Sequence, residues 1–531
     1  MRVRARELRV SWPSDRGRRP AAGGAVGPTA LVGALALAGC VAGPNFVPPA
    51  APSAPRYTAT PLSELDKAAS AAPSAAPAAM VAPAALRLDS ALPPPARWWS
   101  LLDSPRLDAT IRAALGGNRD LVAARERLAR AQQLIGVAEA ARLPSVDVSA
   151  TAGRVRYGPA FLGPEKLPPF SYFEVGPSVS YAFDVAGGLR RGVEQQRALA
   201  ESQLEQLQAA ALALSGNVAV QALRVASSQA QLASLQAILD DDRQNLGLVQ
   251  RAFDAGGATR VDILNAQSQL ANDQTLLPPL RRQMSLAQDA LALLVGRPPG
   301  SWPAPDFQLS EFHLPTRLPL VLPSQLVHRR PDIQAAEARL HADTAAVGVA
   351  SADLYPQITL TGNASLQSNL LQKLFDTGGI GGGFAGSLTQ PLFDRAALRD
   401  KQRAAIDEMR AALADYQQAV LSAFGQVADA LESLDHDQEL LVSEQSAVQT
   451  SSQNLALTRE SYAAGNSGVL QVLDAQRQDA QARLGLVRAE SQRLQDAVQL
   501  LLALGGPLPG VDSAGQRPGA ARAPPALAST R

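Results

Sequence analysis

A single thiol is the most reactive side chain in this sequence. Cys40 is the only Cys among 531 residues, so the chain has neither an intramolecular disulfide framework nor a Cys-rich metal site. Leu37, Ala38 and Gly39 stand directly before it at the end of an apolar stretch, and seven Arg occur in the first 19 residues. A basic segment, an apolar segment and small residues in this order are typical of a secretory signal. We therefore expect cleavage beside the thiol.

Leu-Ala-Gly-Cys at this place resembles a bacterial lipobox. The resemblance implies that residues 1–39 are removed as a signal peptide, that a diacylglycerol is attached to the thiol of Cys40, and that the new amine is acylated. Several acyl chains hold a protein on a membrane far more firmly than one chain does. Val41 follows the Cys in place of the Asp that, by analogy, retains lipoproteins in the inner membrane. The alternative is a buried Cys beside an ordinary signal peptide.

The other polar side chains do not form a catalytic or metal-binding pattern. The four His residues lack metal-ligand spacing, and no Ser-His-Asp set can be proposed. The run Gly378–Gly383 lacks the Lys-Ser/Thr ending of a phosphate-binding loop, and we interpret it as a hairpin loop. The 49 basic and 48 acidic residues leave a net charge of +1, which argues against a nucleic-acid partner. We therefore expect that the protein is not an enzyme and that it holds no metal and no cofactor beyond the lipid on Cys40.

Proline divides the chain into a tether and two long helical spans. Residues 1–100 hold 15 of the 39 Pro, and the Ala-, Pro- and Ser-rich composition predicts an extended tether over 40–96. Residues 178–277 and 392–506 contain no Pro and are rich in strong helix formers. Helices that fill such spans are several times longer than the usual 11–12 residues. They therefore need lateral support, as in a bundle or coiled coil.

The chain contains two similar halves. Matching strings include Asp120-Leu121 with Asp332-Ile333, Phe183-Asp184 with Phe393-Asp394, and Ile263–Gln267 with Val472–Gln476. Each half predicts a short helix, two strands, a long helix, a Gly-marked turn and a return helix. We assign the halves to residues 97–296 and 331–506, an equatorial linker to 297–330 and a C-terminal tail to 507–531. Pro278-Pro279 should kink or interrupt the first return helix.

Only the predicted strands have the pattern of a membrane segment. Residues such as Val146–Thr151 alternate at period two, as in a barrel wall with a wet interior. Eleven of the 23 aromatic residues lie in 143–184 and 355–393, a bias that aromatic belts at membrane interfaces would produce. The alternative is two soluble hairpins. Four strands cannot close a barrel in lipid, so the membrane interpretation requires an oligomer.

These features together resemble the TolC-like outer membrane efflux proteins, and in particular the NodT/OprM-type lipoproteins that serve resistance-nodulation-division (RND) pumps. The strings that carry the resemblance are Gly43–Phe46, Trp98-Trp99, Leu277–Leu280 and His328–Ile333 running into Ala336–Leu340. The resemblance implies a mixed α/β homotrimer in the cell outer membrane. Its twelve-stranded β-barrel, with four strands from each chain, would continue into a twelve-helix periplasmic α-barrel tunnel. It also implies passive export of drugs or other small molecules that an inner-membrane RND pump and a periplasmic adaptor deliver.

A gate is predicted just beyond the second Gly-marked turn. Leu470 and Asp474 are four residues apart and so lie on one helical face. Threefold symmetry would stack their copies as rings, where Leu can gate by dewetting and Asp can bind cations. The resemblance implies that these positions form the closed periplasmic constriction, with Gln471 replacing an acidic residue of TolC-type members, and that Arg477 is a candidate latch to a neighbouring acid. The alternatives are core packing for Leu470 and a solvated helix face for Asp474.

The turns themselves are candidate adaptor contacts. Gly256, Gly257 and Gly465 join each long helix to its return helix, where Gly relieves the strain of reversing the chain. The alternative is that they are helix caps only. Three other functions stay open from the sequence: a type I secretion channel that passes proteins, a non-channel periplasmic coiled-coil lipoprotein, and a hydrolase, for which no residues can be named.

Overall fold

The computed structural model describes residues 41–50, 56–58, 86–90, 92–157, 168–506 and 508. The predicted signal peptide and Cys40 lie outside these residues, as do most of the predicted tether and the C-terminal tail apart from Leu508.

A similar order of elements occurs in both halves. The tether contains the strand β1 Arg87–Asp89, and the first half contains α1 Pro105–Gly117, α2 Arg119–Ala140, β2 Ser145–Val155, β3 Phe170–Phe183, α3 Gly188–Asp254, α4 Arg260–Gln274 and α5 Leu277–Val295. The linker contains β4 Arg317–Pro319 and α6 Pro323–Leu326, and the second half contains α7 Pro331–Ala352, β5 Gln357–Ser368, β6 Ile380–Thr389, α8 Arg395–Ala463 and α9 Val469–Ala503. The strand β6 begins inside the Gly378–Gly383 run, so only Gly378 and Gly379 of that predicted loop precede the strand, in a short 3₁₀ helix over Thr377–Gly379.

Two uninterrupted helices set the length of the molecule. Helix α3 has 67 residues and α8 has 69, which at 1.5 Å per residue is about 100 Å each. The return helix α9 is continuous over 35 residues, whereas the first return path is broken between α4 and α5. The break stands directly before Pro278-Pro279, because Pro at the start of a helix is tolerated but Pro within one is not.

The four longer strands form one antiparallel sheet in the order β2-β3-β5-β6. Its register pairs Val146 with Val179, Val179 with Gly362, and Gly362 with Phe384, so these residues share a face. This face carries the apolar residues Val146, Val148, Val175, Val179, Ile358, Leu360, Phe384 and Leu388. The opposite face carries Asp147, Ser149, Ser178, Ser180, Thr359, Thr361, Gly383 and Ser387. Over these residues the sheet is therefore apolar on one side and polar on the other, and the pattern ends where Arg154 lies on the first face and Tyr172 on the second.

The main core lies beside the middle of α3. Trp98, Trp99 and Phe307 are buried there against residues such as Leu223 of α3, and the indole N–H of Trp98 donates to Ser215 Oγ at 3.0 Å. Among helices of the described residues, α3 alone is long and apolar enough for a membrane span, but 56% of its most apolar window is buried inside the protein. We attribute its apolarity to this core.

Pieces of the predicted tether are packed rather than free. The hydroxyl of Tyr57 donates to the carbonyl of Val321 at 2.7 Å, and its ring packs edge-on against Phe424. Strand β1 pairs in parallel with β4, and Leu86 beside it is buried. The Ala- and Pro-rich composition conceals these anchors because each consists of only a few residues.

Candidate functional site

The two helix reversals have the same hydrogen-bonded form. After α3, the N–H of Gly257 donates to the carbonyl of Ala252 at 2.8 Å, and after α8 the N–H of Asn466 donates to Ser461 at 2.9 Å. Gly256 and Gly465 occupy the left-handed region, with φ of 78° and 77°. No atom lies within 4 Å of a Cβ added at either position. Backbone conformation, and not crowding, therefore accounts for Gly at both turns.

Side chains cap both return helices at their first turn. Thr259 and Asp262 form a reciprocal capping box, in which Asp262 accepts the Thr259 N–H at 2.7 Å. Hydrogen bonds from the Thr259 backbone and side chain lower the pKa of Asp262. In the second half, Gln471 Oε1 accepts the N–H of Gly468 at 2.9 Å. The side-chain amide of Gln471 thus caps the start of α9, and the carboxylate of Asp262, at the equivalent position of the first half, caps the start of α4.

The predicted gate residues lie together on the surface of α9. Leu470 is 49% exposed, and it lines an open cavity of about 530 Å³ together with Asp474 and with Leu457 of α8. The Asp474 carboxylate forms an ion pair with Arg477, three residues along the helix, and accepts a hydrogen bond from Gln478 Nε2 at 2.8 Å. In the single chain Leu470 is therefore not a core residue, and Asp474 is held by partners on its own helix.

Contacts between the two hairpins, α3 with α4 and α8 with α9, were not predicted. Asn245 Nδ2 of α3 donates to Gln476 Oε1 of α9. The guanidinium of Arg459 of α8 lies 3.9 Å from the carboxylate of Asp241 of α3. A small apolar cluster adjoins them, formed by Val249, Ile263 and Ala266 with Val469 and Leu473 packed against it. Only the pairing of helices far apart in sequence brings these residues together, so no local pattern could have found them.

Residues 41–46, which follow Cys40, are held at the junction of the sheet and the helices by a set of contacts that we call the clasp. The N–H of Ala42 donates to the carbonyl of Ala186 at 2.8 Å. The buried guanidinium of Arg191, in the first turn of α3, donates to the carbonyl of Ala42 at 3.3 Å and to Asn45 Oδ1 at 2.6 Å. Phe46 stacks on the ring of His341 of α7, with ring centres 4.4 Å apart. The chain therefore emerges beside the end of β3.

Close backbone packing and an acid complete the clasp. A Cβ on Gly43 would lie 2.5 Å from the Cα of Gly348, so these two backbone segments can approach this closely only because both residues are Gly. Glu194 joins Arg191 at 2.7 Å to His341 at 3.0 Å. Partial burial raises the pKa of Glu194, but hydrogen bonds from Arg191 and His341 outweigh burial and lower it overall. The sequence string Gly43–Phe46 marked this segment, but its binding site on α3 and α7 had no sequence signal.

Known proteins share this architecture. The sequence profile of the outer membrane efflux protein family matches residues 110–297 and 322–506. The chain is 33% identical over 420 residues to the pyoverdine export outer membrane protein OpmQ of Pseudomonas putida, covering 78% of this chain and 88% of that protein. It is 26% identical over 490 residues to nodulation protein T of Rhizobium leguminosarum bv. trifolii, covering 89% and 95%.

Solved structures agree with these sequence matches. The outer-membrane channel OprN superimposes with a TM-score of 0.79 at 26% identity, covering 88% of this chain and 100% of that one. The family profile, the sequence relatives and the solved structures all belong to outer membrane efflux proteins. They confirm the resemblance on which the sequence interpretation depends. The chain belongs to the outer membrane efflux protein family, and its function is that of an outer-membrane efflux channel.

Proposed function

We propose that three copies of this chain form a closed β-barrel in the outer membrane and a periplasmic tunnel beneath it. The two-faced sheet with its open edges carries the proposal. In the described residues β2 pairs only with β3, and β6 only with β5. Unpaired backbone groups at a sheet edge are too costly in lipid, so β2 of one copy must pair with β6 of the next. The apolar face then meets lipid and the polar face lines water.

The tunnel needs a gate rather than a catalyst. In the trimer, Leu470 would approach its copies as an apolar ring at the tip of the tunnel, and Asp474 would form an acidic ring one helical turn nearer the membrane. Such rings close a pore by excluding water and by binding cations. Arg477 balances the charge of Asp474 in the closed tip. The position of all three residues, within the first three turns of α9 after the Gly465 reversal, supports this role.

The partners of the channel follow from its two ends. The reversals at Gly256-Gly257 and Gly465 are the parts of the helices farthest from the sheet, so they are where a periplasmic adaptor would dock. An inner-membrane RND pump would supply the small molecule that is exported. At the other end, the clasp holds Val41 at the base of the sheet. A lipid on Cys40 would then enter the inner leaflet of the outer membrane beside the barrel.

Conductance in a planar bilayer tests the channel. Purified protein should run as a heat-resistant trimer in SDS and should give discrete single-channel currents. A protein that is monomeric and soluble after removal of the lipid would instead be a coiled-coil scaffold of the periplasm. A channel that restores protein secretion, but not drug resistance, to a strain lacking its own outer-membrane channel would be a type I secretion outlet. Either result would replace this proposal.

A further inference from the structure

A buried acidic cluster lies between the two hairpins, close to the gate but separate from it. Asp242 of α3 is only 9% exposed, and its Oδ2 atom has no hydrogen-bond partner. Asp273 of α4 faces Asp242 within hydrogen-bonding reach. Both groups border a cavity of about 80 Å³, which is large enough for water. Two ionised carboxylates can only accept hydrogen bonds, so a hydrogen bond between them requires a proton on one of the two.

The charged groups around this pair come from every helix packed against it. Asp241 is its neighbour on α3, and Arg459 of α8 lies 3.9 Å from Asp241. Arg477 of α9 lines the same cavity as Asp242 and Asp273. Arg477 is therefore paired with Asp474 on its own helix and also borders the cavity that the carboxyl pair lines.

The balance of burial and charge favours one proton on the pair. Burial, and then the hydrogen bond and charge of Asp273, raise the pKa of Asp242 to about 7. Like charges so close cannot both ionise easily, and a shared proton satisfies both carboxylates at once. The cluster does not have the arrangement of a metal site, since no group of three or more metal-binding side chains was found in the part of the chain described.

We infer that Asp242 and Asp273 form a proton-binding site that decides which acid Arg477 pairs with. While the proton is bound, the pair attracts Arg477 weakly and Arg477 stays with Asp474. When the proton leaves, the added negative charge draws Arg477 across the cavity and leaves Asp474 without its partner. The effect on the pore rests on the proposed function, because unpaired Asp474 copies repel one another only if they meet in a trimer.

Infrared spectroscopy tests the proton site without any channel activity. The full-length lipoprotein in detergent should show a carbonyl band of protonated carboxyl groups that decreases as pH rises from 6 to 8. Asp242→Asn and Asp273→Asn should each remove the same component of that band. Asp240→Asn is the matched control, because Asp240 lies on the same helix but is exposed and paired with Arg243 at 2.6 Å. If Asp242→Asn leaves the band unchanged, the inference is wrong.

Single-channel recording tests the link to Arg477. Between pH 6 and pH 8 the open probability of the wild type should rise about two- to fivefold, the effect of losing one half-exposed ion pair. Asp273→Asn should abolish that pH dependence and Asp240→Asn should keep it. If the band component that Asp242→Asn removes titrates but the currents do not depend on pH, the partner exchange is overturned. If that component titrates in a protein that never conducts, the proton site stands and the channel is refuted instead.

Discussion

At the scale of single residues, the tip of the protein contains acids with different tasks. Asp262 caps a helix, Asp474 is paired at the surface, and Asp242 is buried without a donor. The residue type is the same in each, and the surroundings decide whether it supports structure, carries charge or holds a proton.

Removing the Asp474 carboxylate should loosen the gate. We expect Asp474→Ala to raise the open probability about two- to fivefold and to weaken block by divalent cations, because the acidic ring and its pairing with Arg477 are lost. Asp407→Ala is the control, since Asp407 forms the same kind of exposed ion pair with Arg410 at 3.0 Å. Planar-bilayer recordings measure both variants. Currents identical to wild type would remove Asp474 from the gate.

A second buried acid should make stability depend on pH. Burial, and then the hydrogen bond and charge of Asp496, raise the pKa of Asp437 from 3.8 to about 7, although Arg493 opposes them. Between these values Asp437 binds a proton in the folded protein but not in the unfolded chain, so its contribution to stability is fully present below pH 3.8 and is lost as pH rises towards 7.

Asp437→Asn should remove part of this loss. We expect it to raise the midpoint of thermal unfolding by about 2 °C at pH 8 and to change it little at pH 4, where Asp437 is largely protonated. Circular dichroism at both pH values measures the change. The exposed Asp407→Asn should have no such effect, and a uniform shift at both pH values would contradict the prediction.

At the scale of elements, the function depends on helices that continue without interruption and then reverse sharply. The absence of Pro makes α3 and α8 possible, and the turns at Gly256 and Gly465 end them. Both turns have the same pattern of backbone hydrogen bonds, so the two hairpins have similar ends, and these are the ends that the proposal assigns to an adaptor. Of the two return paths, the first is broken, between α4 and α5, directly before Pro278 and Pro279.

A matched pair of Gly substitutions separates turn from helix. Gly465→Ala should destabilise the protein by about 1 kcal/mol, because Ala resists a positive φ. Gly425→Ala should stabilise it by about 1 kcal/mol, because Gly425 lies inside α8 with no atom within 4 Å of an added Cβ. Urea unfolding monitored by helix content measures both. The same sign for both would show that the turn conformation is not what requires Gly465.

At the scale of the whole molecule, one chain is an incomplete object. The sheet has two edges with no partner among the described strands, and large apolar side chains such as Phe384 face outwards at 75% exposure. In the proposed trimer, lipid on one face and sister chains at both edges would satisfy these groups together. The clasp at Arg191 links both halves of the chain to the segment that follows Cys40.

Neighbouring residues of β6 should respond oppositely to the same charge. Phe384→Lys places a cation on the apolar face, at a cost of about 2–4 kcal/mol in each chain near the centre of a bilayer, and should abolish the heat-resistant trimer. Ala385→Lys points to the polar face and should keep the trimer while changing ion selectivity. Semi-native electrophoresis and reversal potentials measure the two outcomes. A stable trimer of the Phe384→Lys variant would show that the face of the sheet that carries Phe384 does not contact lipid.

The amino-acid sequence alone determined the local features of this protein. Period-two alternation predicted the four strands, the missing Pro predicted the long helices, and Gly256 and Gly465 predicted the reversals. Each of these follows from steric and hydrophobic rules that act over a few residues. The gate residues Leu470, Asp474 and Arg477 were also named from their spacing, although their role stays a prediction.

Only the tertiary structure decided which distant residues meet. The clasp of Phe46 on His341, the contact of Asn245 with Gln476, and the placing of Asp273 against Asp242 join residues from separate elements. Burial and charge depend on such contacts, so the pairing of an acid and its affinity for a proton cannot be derived from a local pattern. Composition likewise predicted an extended tether over 40–96 but could not show that Tyr57 is anchored, because a single packed ring leaves composition unchanged.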